Sequence, residues 1–179
     1  MMEKSDYQPE GERIICQVRF EVLDIPGFLK ELRRVGKKYQ CSIICFNREA
    51  MAGRRHVTSA LWHAERSFLS GEGISRSLEV ESLLYAAGTR QTGLIGSFGI
   101  HEGINECYLS IVPDHAEAYD DLTSLMEENG DEDWEIISPQ KEERLIEFFG
   151  ITDLEICVVG RERVVDLVLE RVALLTVNR

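Results

Sequence analysis

Two groups of residues in this chain are of types that perform chemistry: four histidines, and a glycine-rich stretch that reads "LLYAAGTRQTGLIGSFGI" over residues 83–100. The stretch holds Gly88, Gly93, Gly96 and Gly99, with Arg90 and Gln91 between the first two. Glycine-rich turns cradle phosphate because bare backbone N–H groups approach the anion closely. The spacing here does not fit the known forms. Gly88 and Gly93 are set as in a Walker loop, but Leu94 and Ile95 stand where the lysine and the hydroxyl residue belong. Gly93, Gly96 and Gly99 recur every three residues, which is not G-x-G-x-x-G, and the preceding segment has helical rather than strand periodicity. The stretch reads instead as a helix, a tight turn at Gly88 that points Arg90 and Gln91 outward, and a short second helix ending at Gly99. Each interior glycine costs such a helix roughly 1 kcal/mol relative to alanine. The pattern therefore predicts a crowded site, where missing side chains let another backbone approach.

The histidines carry no catalytic pattern. His56 and His63 are seven residues apart on a predicted helix, on one face but separated by about 10.5 Å, too far to share a metal. His101 falls in a glycine-bordered loop and His115 at a helix cap. No H-E-x-x-H, carboxylate pair or nucleophile elbow accompanies them. No catalytic residue, metal ligand or cofactor is assigned from the sequence, and the chain is expected not to be an enzyme. The five cysteines, Cys16, Cys41, Cys45, Cys107 and Cys157, include no CxxC pair and lie in apolar segments. They are expected to be small buried hydrophobes in a reducing compartment, the cytoplasm or, in a eukaryote, also the nucleus.

These residues need elements to hold them. "IICQVRFEV" (14–22) alternates as a strand with one wet face. A helix follows with Phe28, Leu29, Leu32 and Val35 on one stripe and basic residues in its last turn. "CSIICF" (41–46) is a second strand. A long helix is predicted over about 49–69, with Val57, Ala60, Leu61, Ala64 and Phe68 inward, and another over "SRSLEVESLLYAAG". "ECYLSIV" (106–112) is a strand, followed by a helix whose capping box would be Asp114 and Glu117. "EENGDED" reads as an acidic turn, "WEIIS" and "EICVV" as short strands, and Ser138-Pro139 as the start of a helix that Gly150 ends. Arg161 to about Val177 is a terminal helix with only a narrow polar strip at Arg163, Asp166 and Glu170.

The irregular alternation predicts an α/β (α+β) fold rather than a doubly wound parallel sheet. We expect one domain over 13–179 behind a disordered tail over 1–12. Its centre would be a mainly antiparallel sheet of about four or five short strands, flanked by about six to eight helices. At 179 residues the chain is long enough to bury one core, and no apolar run approaches a membrane span. A net charge of −12 disfavours non-specific binding to nucleic acid, so any such contact needs a local basic patch.

At "NREAMAGRRHVTSALWHA", then "EVESLLYAAGTRQ" and "FGI", the chain resembles a known family. It is similar to the small globular subunit of the archaeal and eukaryotic KEOPS complex, the family that includes the PRPK-binding protein (TPRKB). The matching pattern runs through Asn47, Gly53, His56, Ala60, Ala64, Glu81, Leu84, Tyr85, Gly88, Arg90, Gln91 and Gly99, and the order of elements fits over nearly the whole chain after the tail. One departure is a "TGLIG" segment after Arg90-Gln91, one residue shorter than the family pattern.

The resemblance implies a non-catalytic subunit. KEOPS installs threonylcarbamoyl on the adenosine next to the tRNA anticodon. The family binds and stimulates the kinase-like ATPase subunit of that complex, recruits tRNA through its single-stranded 3′ CCA end, and meets other KEOPS subunits only indirectly. On this basis Arg54, Arg55, His56, Arg66, Arg76, Arg90 and Gln91 are RNA-binding candidates. Surplus apolar surface on the terminal helix makes Leu167, Val168, Arg171, Leu174 and Leu175 partner-binding candidates, with one face of that helix expected on the sheet and the other on the ATPase. Two alternatives stay open: a small-molecule-binding domain that uses the Gly88–Gly99 turn, and a purely structural adaptor without RNA contact.

Overall fold

The computed structural model describes residues 14–130 and 132–177, so the tail expected over 1–12 lies outside the described residues. Strand β1 (Ile15–Val22) buries Val18, Phe20 and Val22 and exposes Arg19 and Glu21, as its alternation requires. It pairs with β3 (Gly103–Val112) on one side and with β4 (Glu127–Glu128) on the other, and β3 also pairs with β2 (Ser42–Asn47). The sheet order is β2-β3-β1-β4 and every pairing is antiparallel.

Successive residues of β2 and β3 point to opposite faces, and both faces are covered, so these strands read as continuous apolar runs. One face packs Ile43, Cys45, Cys107 and Leu109 against α1 (Ile25–Tyr39) and α4 (Ala116–Leu122). The other packs Ile44, Phe46 and Tyr108 against a layer of helices: α2 (Arg54–Leu69), α3 (Leu78–Ala86), α5 (Pro139–Phe148) and α7 (Val164–Leu174). A mixed fold with one antiparallel sheet and helices on both faces is thus what the chain adopts. No described helix is long and apolar enough to cross a membrane.

Several elements differ from expectation. The helix expected over 49–69 is interrupted: a 3₁₀ turn at Arg48–Ala50 and an extended Met51 precede Gly53 at φ +80°, and only then does α2 begin. Trp134 is buried with its ring edge-on to Tyr108 at 5.1 Å, and its carbonyl accepts the Tyr108 hydroxyl, so "WEIIS" forms no strand. β1 takes Glu127 and Glu128 from the supposed acidic turn instead. "EICVV" is helical, within α6 (Asp153–Val159), because Thr152 and Glu155 form a reciprocal capping box just ahead of it. The cap of α4 is His115 rather than Asp114, through its ring and the Ala118 N–H at 3.4 Å. The buried-cysteine expectation holds at Cys45 and Cys107, while Cys157 is exposed.

The terminal helix requires the largest correction. It lies on α2, α3 and α5 rather than on the sheet, and three neighbours absorb its apolar surface. Val164, Leu167, Val168, Val172 and Leu175 are buried within this chain, so Leu167, Val168 and Leu175 are core residues and not partner contacts. Leu174 is 38% exposed and Arg171 half-buried, which leaves these two of the five candidates able to meet a partner.

Leu175→Ala should therefore lower unfolding stability by about 2–5 kcal/mol, as large-to-small core changes do. Leu174→Ala should change it by less than about 1 kcal/mol. Urea titrations of both variants check the pair, and equal losses would contradict the packing described.

Candidate functional site

The site begins at the start of α2. The four leading N–H groups of a helix lack intrahelical partners and carry partial positive charge. Here the Glu135 carboxylate answers them, accepting the Arg54 N–H at 2.9 and 3.1 Å. Glu135 sits so close that a Cβ on Gly53 would come within 2.7 Å of its Oε2. The Arg54 guanidinium donates to the Ile15 carbonyl at 2.7 Å, and Arg55 pairs with Asp166 of α7 at 3.0 Å.

His56 lies in the same first turn of α2 and is fully buried. Its Nδ1 faces the Ala52 N–H at 3.0 Å and its Nε2 faces the Ala86 carbonyl at 2.8 Å. An amide N–H only donates and a carbonyl only accepts, so Nδ1 is bare, Nε2 carries the proton, and both nitrogens are satisfied in the neutral ring. Burial pushes its pKa down to about 4, with the nearby Lys141 ammonium adding to the effect. His56 thus ties the start of α2 to the end of α3 and is not a surface for RNA. That corrects its place among the RNA candidates.

The turn after α3 is held from below. Gly88 adopts φ +58°, and a Cβ there would meet the Arg171 carbonyl oxygen at 3.4 Å, so the turn lies directly on the backbone of α7. Between them opens a cleft of about 360 Å³ lined by Gly88, Thr89, Arg90, Gln91, Arg171, Leu174 and Leu175. Residues assigned separately from the sequence to RNA and to a partner therefore share one cleft. Arg171 is anchored at its rim by Glu155 at 2.5 Å and by the Phe149 carbonyl at 3.4 Å. Beyond the turn the crowding expected of the glycines is kept at Gly99, where a Cβ would meet Leu83 Cδ1 at 3.4 Å, and is lost at the two glycines before it. Gly93 and Gly96 lie in an exposed 3₁₀ segment, Thr92–Phe98, with nothing within 4 Å of an added Cβ.

The basic candidates do not form one patch. Arg54, Arg55, Arg90 and Gln91 belong to the end where α2 starts and α3 stops, which His56 pins together. Arg66 lies 12 residues along α2 from Arg54, or about 18 Å. Arg76 is exposed in the loop after α2, whose Ile74 and Ser75 N–H groups donate to the buried Glu81 carboxylate at 3.1 and 2.7 Å.

The sequence reading missed an aromatic platform beside Arg66. The Arg66 guanidinium lies 5.4 Å from the ring centre of Trp62, which is 42% exposed. Trp62 meets His63 edge-on at 4.7 Å, His63 stacks on Tyr85 at 5.7 Å, and its Nδ1 lies 3.2 Å from Thr176 Oγ1. His63 thereby joins the Trp62–Arg66 pair to Thr176, the neighbour of cleft residue Leu175. The i, i+4 spacing of Trp62 and Arg66 was the available signal.

Among the described residues no group of three or more His, Cys, Asp or Glu is placed to hold a metal. No protein-family model matches the chain, and no curated protein sequence matches it significantly.

Two outcomes follow from this geometry. The folded pKa of His56, about 4, lies below its ordinary 6.5, so its contribution is fully present above pH 6.5 and is lost as pH falls towards 4. The loss attributable to this ring should reach about 3 kcal/mol. His56→Gln should flatten the dependence of the urea midpoint on pH across that window, and an unchanged slope would contradict the assignment. Gly88→Val should cost at least about 1–2 kcal/mol from the left-handed backbone alone, measured by thermal unfolding; full stability would contradict the close approach to α7.

Proposed function

We propose that this chain is a non-catalytic subunit of a KEOPS-type tRNA-modification complex. It binds and stimulates the kinase-like ATPase subunit and helps recruit tRNA through the 3′ CCA end. Other subunits meet it indirectly, no membrane is involved, and the complex works in the cytoplasm.

One observation carries the proposal: the residues behind the family resemblance, spread from Asn47 to Gly99, interlock in space. The Asn47 amide donates to the Ser97 carbonyl at 2.9 Å, and Gly53 underlies the Glu135 cap. His56 joins Ala52 to Ala86, Glu81 ties the 74–75 loop, and Gly88 seats the turn on α7. A set of positions that locks two helices and aims one turn is what a binding surface requires.

The chemistry suits a single-stranded RNA end. Unpaired bases stack on exposed rings while cations meet the phosphates. Trp62 offers the ring with Arg66 beside it, Arg90 and Gln91 line the cleft, and Arg76 is a further exposed cation in the loop after α2. Arg54 and Arg55 are tied to Ile15 and Asp166 and act through position. Leu174, with Arg171 behind it, is the apolar contact offered to the ATPase.

The isolated chain should bind tRNA in a salt-sensitive manner and lose most of that affinity when the CCA end is removed. Arg66→Glu combined with Arg90→Glu should weaken binding at least tenfold. Each lost phosphate contact should reduce the slope of log affinity against log salt by about 0.7. Filter binding at several salt concentrations checks both effects. Equal affinity for tailed and trimmed tRNA would overturn the proposal.

A further inference from the structure

The two edges of the sheet are built differently. At one edge stands β4, only two residues long, both of them exposed glutamates. Short length and charge are the usual protection of an edge against strand addition. At the other edge stands β2, six residues reading "SIICFN", with no proline and no charge. It pairs with β3 alone, and an antiparallel strand directs the N–H and C=O of alternate residues away from its partner. The free side of β2 is therefore a row of hydrogen-bonding groups without protection in its own sequence.

That row lies at the floor of a groove of about 470 Å³ between α1 and α3. Ile43, Ile44 and Cys45 line the floor and are only 6%, 1% and 5% exposed. An edge so recessed cannot meet the sheet edge of another folded domain, whose own bulk the two helices would block. A single extended segment fits, and β2 offers it about 20 Å of backbone. The walls supply apolar contacts through Leu29, Leu32, Val80 and Leu83.

Charge selects the kind of segment. Arg33 and Lys37 are one turn apart on α1, line the groove and are exposed. Neither forms an ion pair with a described residue, whereas their neighbours Arg34 and Lys38 are paired with Glu31 and Asp121 at 2.8 Å each. Glu79 stands on the opposite wall. In a chain of net charge −12, two uncommitted cations on the rim of an apolar groove favour a ligand that brings carboxylates.

We propose that the edge of β2 accepts an extended acidic segment of a partner protein, with apolar residues at alternate positions, as a fifth strand of the sheet. Main-chain hydrogen bonds to β2 hold the segment, its apolar residues point to one sheet face, against Val80 and Leu83 of α3, and its carboxylates point to the other, where they meet Arg33 and Lys37 of α1. This surface is separate from the cleft assigned to tRNA and the ATPase.

The test uses the full chain and a fluorescein-labelled hexapeptide of alternating glutamate and valine, blocked at both ends. Anisotropy should show saturable binding, and amide exchange should slow at least tenfold at alternate residues of β2. Arg33→Glu with Lys37→Glu should weaken binding at least tenfold, with circular dichroism reporting the fold and the milder Lys37→Ala as a second variant. A peptide methylated at alternate amide nitrogens should not bind, and one with lysine in place of glutamate should bind at least tenfold more weakly. Absent binding, indifference to amide methylation, or indifference to the charge reversals would overturn the proposal. So would exchange protection of β2 that grows with protein concentration without peptide, since a second copy would then occupy the groove.

Discussion

A neutral imidazole sealed inside the helical layer is the constraint on which the arrangement depends. His56 accepts from Ala52 and donates to Ala86, so one ring satisfies a backbone donor before α2 and a backbone acceptor at the end of α3. A buried backbone group left without a partner costs about 1–3 kcal/mol, about twice a typical hydrogen bond's net contribution. The interruption at Met51–Gly53 is therefore not a defect in a longer helix. It frees the Ala52 N–H from helical pairing and turns it to the ring, while Gly53 makes room for the Glu135 carboxylate over the first turn of α2. With α2 and α3 fixed in this way, the turn at Gly88 has one place to go, onto the backbone of α7.

The elements that were legible in the sequence are those whose burial follows a single period. β1 announced one buried face, α1 one stripe, and the continuous apolar runs of β2 and β3 matched strands covered on both sides. Local chemistry was legible too where it was strong: Ser138-Pro139 opens α5 and Gly150 follows its end at φ +58°. Illegible elements were those decided by distant partners. Nothing near "WEIIS" says that Trp134 belongs in the core against Tyr108, or that Glu135 will cap a helix 81 residues earlier. The apolar surplus of α7 was visible, but sequence alone does not tell burial against three helices from burial against another protein. At "EICVV" a readable signal was passed over, since Thr152 and Glu155 spell a capping box.

The candidate site followed the same division. Gly88, Arg90 and Gln91 were recognisable as an outward turn, and the structure sets them against Arg171 and Leu174 in one cleft. His56 entered the RNA candidates through the family resemblance, and neither a motif match nor residue spacing tells whether a side chain is buried. Trp62 escaped notice because it lies off the apolar stripe of α2, and the only sequence mark of its role was the i, i+4 spacing to Arg66. Part of the charge is neutralised internally: Arg34, Lys38 and Arg55 are paired with carboxylates of this chain, whereas Arg33, Lys37 and Arg90 line clefts without an ion pair among the described residues.

Cross-linking from the RNA side tests the central claim most directly. A tRNA carrying a photoreactive pyrimidine within its CCA end would be irradiated with the full chain, and the cross-linked peptides identified by mass spectrometry. The account predicts cross-links confined to residues 62–66 and 88–91, competed by unlabelled tRNA but not by tRNA lacking CCA. Cross-links concentrated on α1 or scattered over the surface, with no dependence on the CCA end, would contradict it.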